Sequence, residues 1–316
     1  MTKGDRATGI KKKIAFLIKL AISITLLFWL FTKFDLQAHQ FTPKEPMWLI
    51  VGIVATLIQP AIMGERWRII LSAYDLKTAL STLVKITYLS VFMGQFLPAS
   101  IGGDAIRVVM IKRCGVRLTL GAVSTVIDRG FALIALFFLV PLAFVNDIKE
   151  FQNTETQIIA ASLTFLMLVS PLVLAYMAPF FERKAHHRRW IRPIAYIASG
   201  MKHLICSPLK IFSVLSISLA VHLLSAVALW SVMMGLGSEI SFWLGLTIFP
   251  AIILAQMLPV SLGGWGVREV AAISVLGMVG VNPQVALTSS VMLGIFYALA
   301  SLPGAWYAFQ WHKIDA

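Results

Sequence analysis

The chain has 316 residues, of which 59% are hydrophobic and 13% charged. Soluble domains carry about a quarter of their residues as charges, so this composition excludes an ordinary water-soluble fold and reads as an all-α, polytopic integral membrane protein. The formal net charge is +13, but the basic residues cluster in loops between apolar runs, which is the positive-inside pattern rather than a nucleic-acid surface.

Residues 1–13 are polar and basic, with Lys11, Lys12 and Lys13 abutting an apolar run from Ile14 to Thr32. That run is long enough to cross about 30 Å of hydrocarbon, which takes roughly 20 helical residues. No small-residue cleavage site follows it, so it reads as an uncleaved signal-anchor with a cytoplasmic N-terminus. The mixed-charge loop 33–46 lies outside and Met47–Met63 crosses back. Glu65, Arg66, Arg68 and Lys77 mark the cytoplasmic edge, as interfacial anchors or as a place of substrate entry.

Leu80–Leu97 runs into a break, Pro98 to Gly103, and the residues that follow include Lys112, Arg113 and Arg117. Basic residues on both sides of this stretch predict a re-entrant hairpin opening from the cytoplasm, with a short helix returning from Asp104. Leu118–Val145 then crosses outward, through a loop with Asp147, Lys149, Glu150 and Glu155, and Gln157–Phe180 returns. The loop 181–210 is the most basic in the chain, holding Arg183, Lys184, Arg188, Arg189 and Arg192, and its middle, Trp190–Leu204, mixes apolar and basic residues as a surface helix does. Ile211–Met234 crosses outward to a short loop with Glu239.

Ser241–Leu258 enters from outside and meets a second break, Val267–Gly280 leads back, and Asn282-Pro283 is a turn signal. Gln284–Phe309 crosses inward to a cytoplasmic C-terminus at Lys313. The expected architecture is six full spans plus two re-entrant helical hairpins in an inverted-repeat arrangement. It forms one membrane domain over 1–316: a first half at 47–180, an inverted second half at 211–310, and a leading span and loop at 1–46. The bacterial-type inner membrane is the expected location. Cys114 and Cys206 fall at cytoplasmic loops, where a disulfide is not expected.

The two breaks are copies of one pattern. The first runs Gln95-Phe96-Leu97-Pro98-Ala99-Ser100-Ile101-Gly102-Gly103-Asp104-Ala105-Ile106-Arg107. The second runs Gln256-Met257-Leu258-Pro259-Val260-Ser261-Leu262-Gly263-Gly264-Trp265-Gly266-Val267-Arg268. Seven of the thirteen positions are identical. In each, a proline ends the incoming helix and Gly-Gly permits a tight reversal and close approach of a ligand. The helix that restarts turns its positive end inward, with an arginine close behind. Two such ends with Arg107 and Arg268, from opposite sides, suit an anionic group such as a phosphate; alternatively the breaks only shape packing.

Other polar residues carry two readings each. Asp104 either caps its helix or pairs with Arg107, Glu269 either pairs with Arg268 or meets the ligand, and Ser100 and Ser261 either cap the restarting helices or bind ligand oxygens. Asp128 and Arg129 lie about 15 Å into an apolar span. Charges there are functional candidates by default, or else an ion pair to the first hairpin. His222 either carries a proton or bonds a neighbouring helix. The candidate binding set is therefore Ser100, Gly102, Gly103, Asp104, Arg107, Asp128, Arg129, Ser261, Gly263, Gly264, Arg268 and Glu269. No nucleotide loop, zinc spacing or nucleophile elbow occurs, so neither a cofactor nor a metal is expected.

Phe96-Leu97-Pro98 with Gly102 to Arg107, Asp128-Arg129, and Leu258-Pro259-Val260-Ser261 with Gly263 to Glu269 together resemble the transmembrane flippase-type family found as the N-terminal region of lysylphosphatidylglycerol synthases. The similarity covers nearly the whole chain. It implies translocation of lipids between leaflets, with lipid-linked headgroups, aminoacylated phosphatidylglycerol among them, as the substrate class. The sequence ends at Ala316 without a soluble aminoacyl-transferase domain, so transport is expected rather than synthesis. Membrane lipids are the expected partners, with no nucleic acid, and a separate lipid synthase is a further candidate. The alternatives are a membrane transferase acting on a polyprenyl-phosphate or phospholipid, and a scaffold subunit for a separate synthase.

Overall fold

The computed structural model describes residues 3–35, 41–97, 101–141, 153–238, 240–258 and 260–310. Pro98, Ser100, Pro259, Asp147, Lys149, Glu150, Glu239 and Lys313 lie outside these residues. The described chain is α-helical with no strand. In order, the helices are α1 Lys3–Lys33, α2 Pro46–Ser72, α3 Leu80–Phe96, α4 Ile101–Arg113, α5 Leu118–Leu139, α6 Thr154–Tyr176, α7 Ala178–His187, α8 Arg192–Ile205, α9 Pro208–Gly235, α10 Phe242–Gln256, α11 Val267–Met278 and α12 Pro283–Phe309.

Five of these (α2, α5, α6, α9 and α12) are long and apolar enough to cross a membrane, and the chain is an integral membrane protein. The sequence pattern at their ends explains the boundaries. Asn153 and Asn282 cap α6 and α12 by accepting from the backbone N–H of Glu155 (2.9 Å) and Gln284 (2.8 Å), each satisfying one of the orphan donors of a first turn. Pro46, Pro208 and Pro283 stand in first turns, where the missing N–H costs nothing.

Helices α3, α4, α10 and α11 are different. With 17, 13, 15 and 12 residues they extend about 18–26 Å at 1.5 Å per residue, short of the hydrocarbon thickness. They pack as consecutive pairs, α3 on α4 and α10 on α11. The order long, short, short, long therefore occurs twice, as α2–α5 and as α9–α12. The longest mutual packing joins the two sets through α2 and α9, and α3 also lies along α12. Small residues permit these approaches, as is usual where hydrocarbon supplies no driving force between helices; a Cβ on Gly64 would stand 3.0 Å from Val84 on α3.

Two expectations change, for the second span and for the helix in the basic loop. The second span does not end at Met63: α2 continues to Ser72 and carries Glu65, Arg66 and Arg68 as helical residues. Glu65 and Arg68 pair across one turn near the surface, but Arg66 points inward and is 2% exposed. The leading helix packs on the rest: Ser23 Oγ accepts from Leu262 N–H at 2.9 Å and Leu30 packs on Leu287 and Val291 of α12. The helix α8 does form within the basic loop, yet its apolar face is covered by protein. Met201 and Leu204 are buried in a cluster with Ile70, Val123, Ile127 and Phe131.

Candidate functional site

A cavity of about 290 Å³ lies where the two copies of the repeated pattern meet. Its wall includes Gln95, Gly103, Asp104 and Arg107 from the first copy, and Gln256, Ser261, Gly263, Gly264 and Arg268 from the second. Thr87 and Ser90 of α3, Arg129 of α5, His222 of α9 and Tyr297 of α12 add further polar groups. The tips of the two short-helix pairs touch, since a Cβ on Gly263 would stand 3.5 Å from the Gln95 carbonyl oxygen.

The two copies share a sequence and differ in conformation. In the first, Gly102 and Gly103 lie inside the opening turn of α4 and neither has positive φ. The expected reversal at Gly102-Gly103 is therefore replaced by helix. Gly103 instead allows α4 to lie against α3: a Cβ there would come 2.7 Å from the Ser90 carbonyl oxygen, and Ser90 Oγ donates to the Gly103 carbonyl at 2.8 Å. In the second copy Gly263, Gly264 and Gly266 take φ of 56°, 83° and 88°, and α11 begins only at Val267. The physical cause is at two positions. Asp104-Ala105 favours continuing a helix, whereas Trp265-Gly266 inserts a third glycine that resists it.

Both arginines nevertheless reach equivalent surroundings. Arg107 is 1% exposed and Arg268 2%. Each guanidinium lies over an indole, Arg107 over Trp67 at 4.2 Å and Arg268 over Trp265 at 4.7 Å. Each has one carboxylate behind it. Arg107 Nη1 donates to Asp128 Oδ2 at 2.7 Å, and Arg268 Nε donates to Glu269 Oε1 at 3.0 Å. Asp128 is shared, because Arg66 donates to it through Nε at 2.7 Å and Nη2 at 3.0 Å. Arg66 Nη1 donates onward to Ser218 Oγ at 3.1 Å. Such buried pairs add little net stability, but breaking one leaves an uncompensated charge, so they hold geometry firmly.

The pairing of the remaining acids is not local in the first copy. Asp104 does not pair with Arg107. It accepts from Arg129 Nε at 2.8 Å and Nη2 at 3.0 Å, a bidentate pair from α5. Asp128 and Arg129 thus grip α4 at adjacent turns, the ion-pair alternative foreseen for them. Glu269 does pair locally and also accepts from Gly266 N–H at 2.7 Å, so the start of α11 is capped by its own carboxylate. Ser261 makes no capping bond among the described residues; its hydroxyl is buried in a residue on the cavity wall and has no partner among them. His222 Nε2 lies 2.8 Å from the Ala132 carbonyl oxygen, the neighbouring-helix bond.

Of the predicted binding residues, Gly103, Asp104, Arg107, Arg129, Ser261, Gly263, Gly264 and Arg268 line the cavity. Asp128 and Glu269 stand behind its arginines, Gly102 faces Leu97, and Ser100 lies outside the described residues. The sequence did not place Arg66, Trp67, Gln256 or Ser290 in the candidate binding set, although Arg66 reads as an anchor or an entry point and Gln256 is the first residue of the second copy. A charge and an indole continuing the α2 pattern past Met63 were the available signal for the first two.

Four buried polar atoms on this wall have no partner among the described residues: Arg107 Nε, Arg107 Nη2, Ser261 Oγ and Gln256 Oε1. Unpaired buried donors are costly and uncommon. The Nε–Nη2 edge of a guanidinium is the fork that binds carboxylate or phosphate in bidentate fashion. Around it stand four guanidinium groups (Arg66, Arg107, Arg129 and Arg268) and three carboxylates (Asp104, Asp128 and Glu269), so one positive charge is in excess.

The family model described as the lysylphosphatidylglycerol synthase TM region matches residues 16–304. No curated protein matches the chain.

Proposed function

The chain belongs to the lysylphosphatidylglycerol synthase membrane-region family, and on that premise we propose that it moves a lipid with a polar or anionic headgroup between the leaflets of the membrane. The observation that supports this most is that Arg107 and Arg268, one from each copy, line one cavity. Broken helices at corresponding places in two halves are where transporters bind substrate. Backbone that leaves helical geometry at membrane depth, as Gly263 to Gly266 does, is tolerated where it lines a cavity.

In this reading α3–α4 and α10–α11 are re-entrant hairpins from opposite sides, and α1 is a sixth span. Both termini are cytoplasmic, and the membrane is the bacterial-type inner membrane. The halves 47–180 and 211–310 rock about the cavity. The headgroup enters it and engages Arg107, whose Nε and Nη2 have no partner among the described residues. The acyl chains stay in lipid along an apolar rim, where Leu258 is 54% exposed although it also lines the cavity. Because each arginine already has a carboxylate, its desolvation is met before the lipid arrives, and binding does not have to supply it. A separate lipid synthase is the enzyme that would provide the lipid.

The test is reconstitution of the full chain into liposomes with phospholipids labelled on an acyl chain. A faster exposure of inner-leaflet label than in protein-free liposomes is expected. Unchanged exposure for anionic, zwitterionic and polyprenyl lipids alike would remove the proposal.

A further inference from the structure

We infer that the chain carries a second lipid site, a groove at the membrane interface that seats the phosphate of an anionic phospholipid. It is separate from the central cavity and does not rest on the transport reading.

The groove, of about 640 Å³, lies where α2 ends and α3 and α9 begin. The ends of long apolar helices lie at the headgroup level of a bilayer, and in the proposed topology this end faces the cytoplasm. One wall is the last two turns of α2 and the turn into α3, with Glu65, Arg68 and Lys77. The other is the first turn of α9, with Leu209 and Lys210. None of these residues lines the central cavity.

Charge selects the ligand. Arg68 donates to Glu65 through Nε and Nη2, both at 2.7 Å, so this pair is neutral as a unit. Lys77 and Lys210 remain, and among the described residues the wall holds no second carboxylate. Lys77 is exposed. Lys210 Nζ donates to the Ser72 carbonyl at 3.3 Å, which holds the ammonium at the groove and leaves two of its three donors free. The two helices that start here add to the field. Neither Ala79 nor Ser207 caps its first turn with a side chain, and open first turns favour anions. A phosphodiester between the two ammonium groups suits this arrangement, and a headgroup of zero net charge gains much less from it.

The apolar part selects a lipid over a free anion. Ile69, Leu76 and Leu209 line the same groove. Leu209 is 77% exposed and Phe212, about one turn along α9, 69%. At the rim of a membrane span such side chains lie against acyl chains while lysines reach up to the headgroups. Basic pockets between spans are where anionic headgroups bind. The lipid touches both sets of helices, α2–α5 and α9–α12, across the joint that Lys210 already spans to Ser72.

Native mass spectrometry of the full chain in detergent counts the lipids that stay bound. Phosphatidylglycerol, phosphatidylcholine and inorganic phosphate are titrated in turn against wild type, Lys77→Gln/Lys210→Gln, and Lys202→Gln, an exposed lysine outside the groove. Each groove lysine is expected to contribute about fivefold in affinity. The double variant should therefore hold one phosphatidylglycerol fewer than wild type at the same concentration, and recover it at about 25-fold more lipid. Lys202→Gln and the charge-preserving Lys77→Arg/Lys210→Arg should keep it. An unchanged count in the Gln double variant, or an equal loss in Lys202→Gln, overturns the site. Phosphatidylcholine held as tightly as phosphatidylglycerol overturns the charge selection, and inorganic phosphate held as tightly overturns a lipid as the source. The same lipid should be lost when the lysines are changed in an Arg107→Gln background. A loss seen only with Arg107 intact assigns that lipid to the central cavity and overturns the inference. Lipid transport stands or falls separately, because none of these readouts requires a lipid to cross.

Discussion

Arg107 gives one nitrogen of its guanidinium to Asp128, Nη1 to Oδ2 at 2.7 Å, and its buried Nε and Nη2 have no partner among the described residues. The carboxylate therefore holds one end of a guanidinium whose residue lines the cavity. From that arrangement the behaviour of several variants follows.

Asp128→Asn should be the most destabilising single change in the cluster. It leaves Arg66 and Arg107 buried at 2% and 1% exposure with no counter-charge, and breaking a buried pair costs about 3–5 kcal/mol. Thermal or denaturant unfolding of the purified protein measures it. A loss below that of Asp104→Asn would contradict the picture, because the Asp104–Arg129 pair is partly open, its arginine side chain being 38% exposed.

Asp104 and Arg129 should behave as one unit. The bidentate pair ties α4 to α5, so Asp104→Ala and Arg129→Ala should not add. A double-mutant cycle on stability should give a coupling of about 1 kcal/mol, within the usual range for contacting pairs. Strict additivity would show that the contact carries no energy.

Gly103→Ala should part α3 from α4. The added Cβ meets a backbone oxygen, that of Ser90, at 2.7 Å, so the helices themselves must move, at about 1–3 kcal/mol. The shift carries Asp104 and Arg107 with it, and translocation should fall further than stability alone explains. Gly115→Ala, where a Cβ meets nothing within 4 Å but φ is +82°, is the control for strain without displacement of the helix pair.

The cysteines report on accessibility. Cys206 is exposed, and Cys114 is partly buried, with burial pushing its thiol above the usual range. A small maleimide at neutral pH should modify Cys206 first, and the Cys114 rate should rise as pH rises and its thiolate forms. In the proposed topology an impermeant reagent labels Cys206 from the cytoplasmic side only, which mass spectrometry of sealed vesicles of each orientation reads directly.

The membrane class was legible in composition. The meeting of Arg107 and Arg268 at one cavity was legible in the repeated pattern, because spacing from the breaks carries through to space. What the sequence hid depends on contacts between distant helices. Arg66 read as an interfacial anchor because Glu65 and Arg68 flank it, yet a helix turns its neighbours to different faces, so one residue is buried while two stay at the surface. The partner of Asp104 is 25 positions away, beyond local pairing rules. The unlike conformations of Gly102-Gly103 and Gly263-Gly264 follow from Asp104-Ala105 against Trp265-Gly266, a difference that reads as a minor departure until φ is known.

The most direct measurement is the translocation rate of acyl-labelled phosphatidylglycerol in liposomes holding wild-type protein or Arg107→Gln. Gln keeps polar contact with Asp128 but removes the charged fork. The account predicts exposure faster than in empty liposomes for the wild type, and about 10- to 100-fold slower translocation for the variant at equal folded protein. Equal rates for the two proteins, or a wild type no faster than empty liposomes, would contradict it.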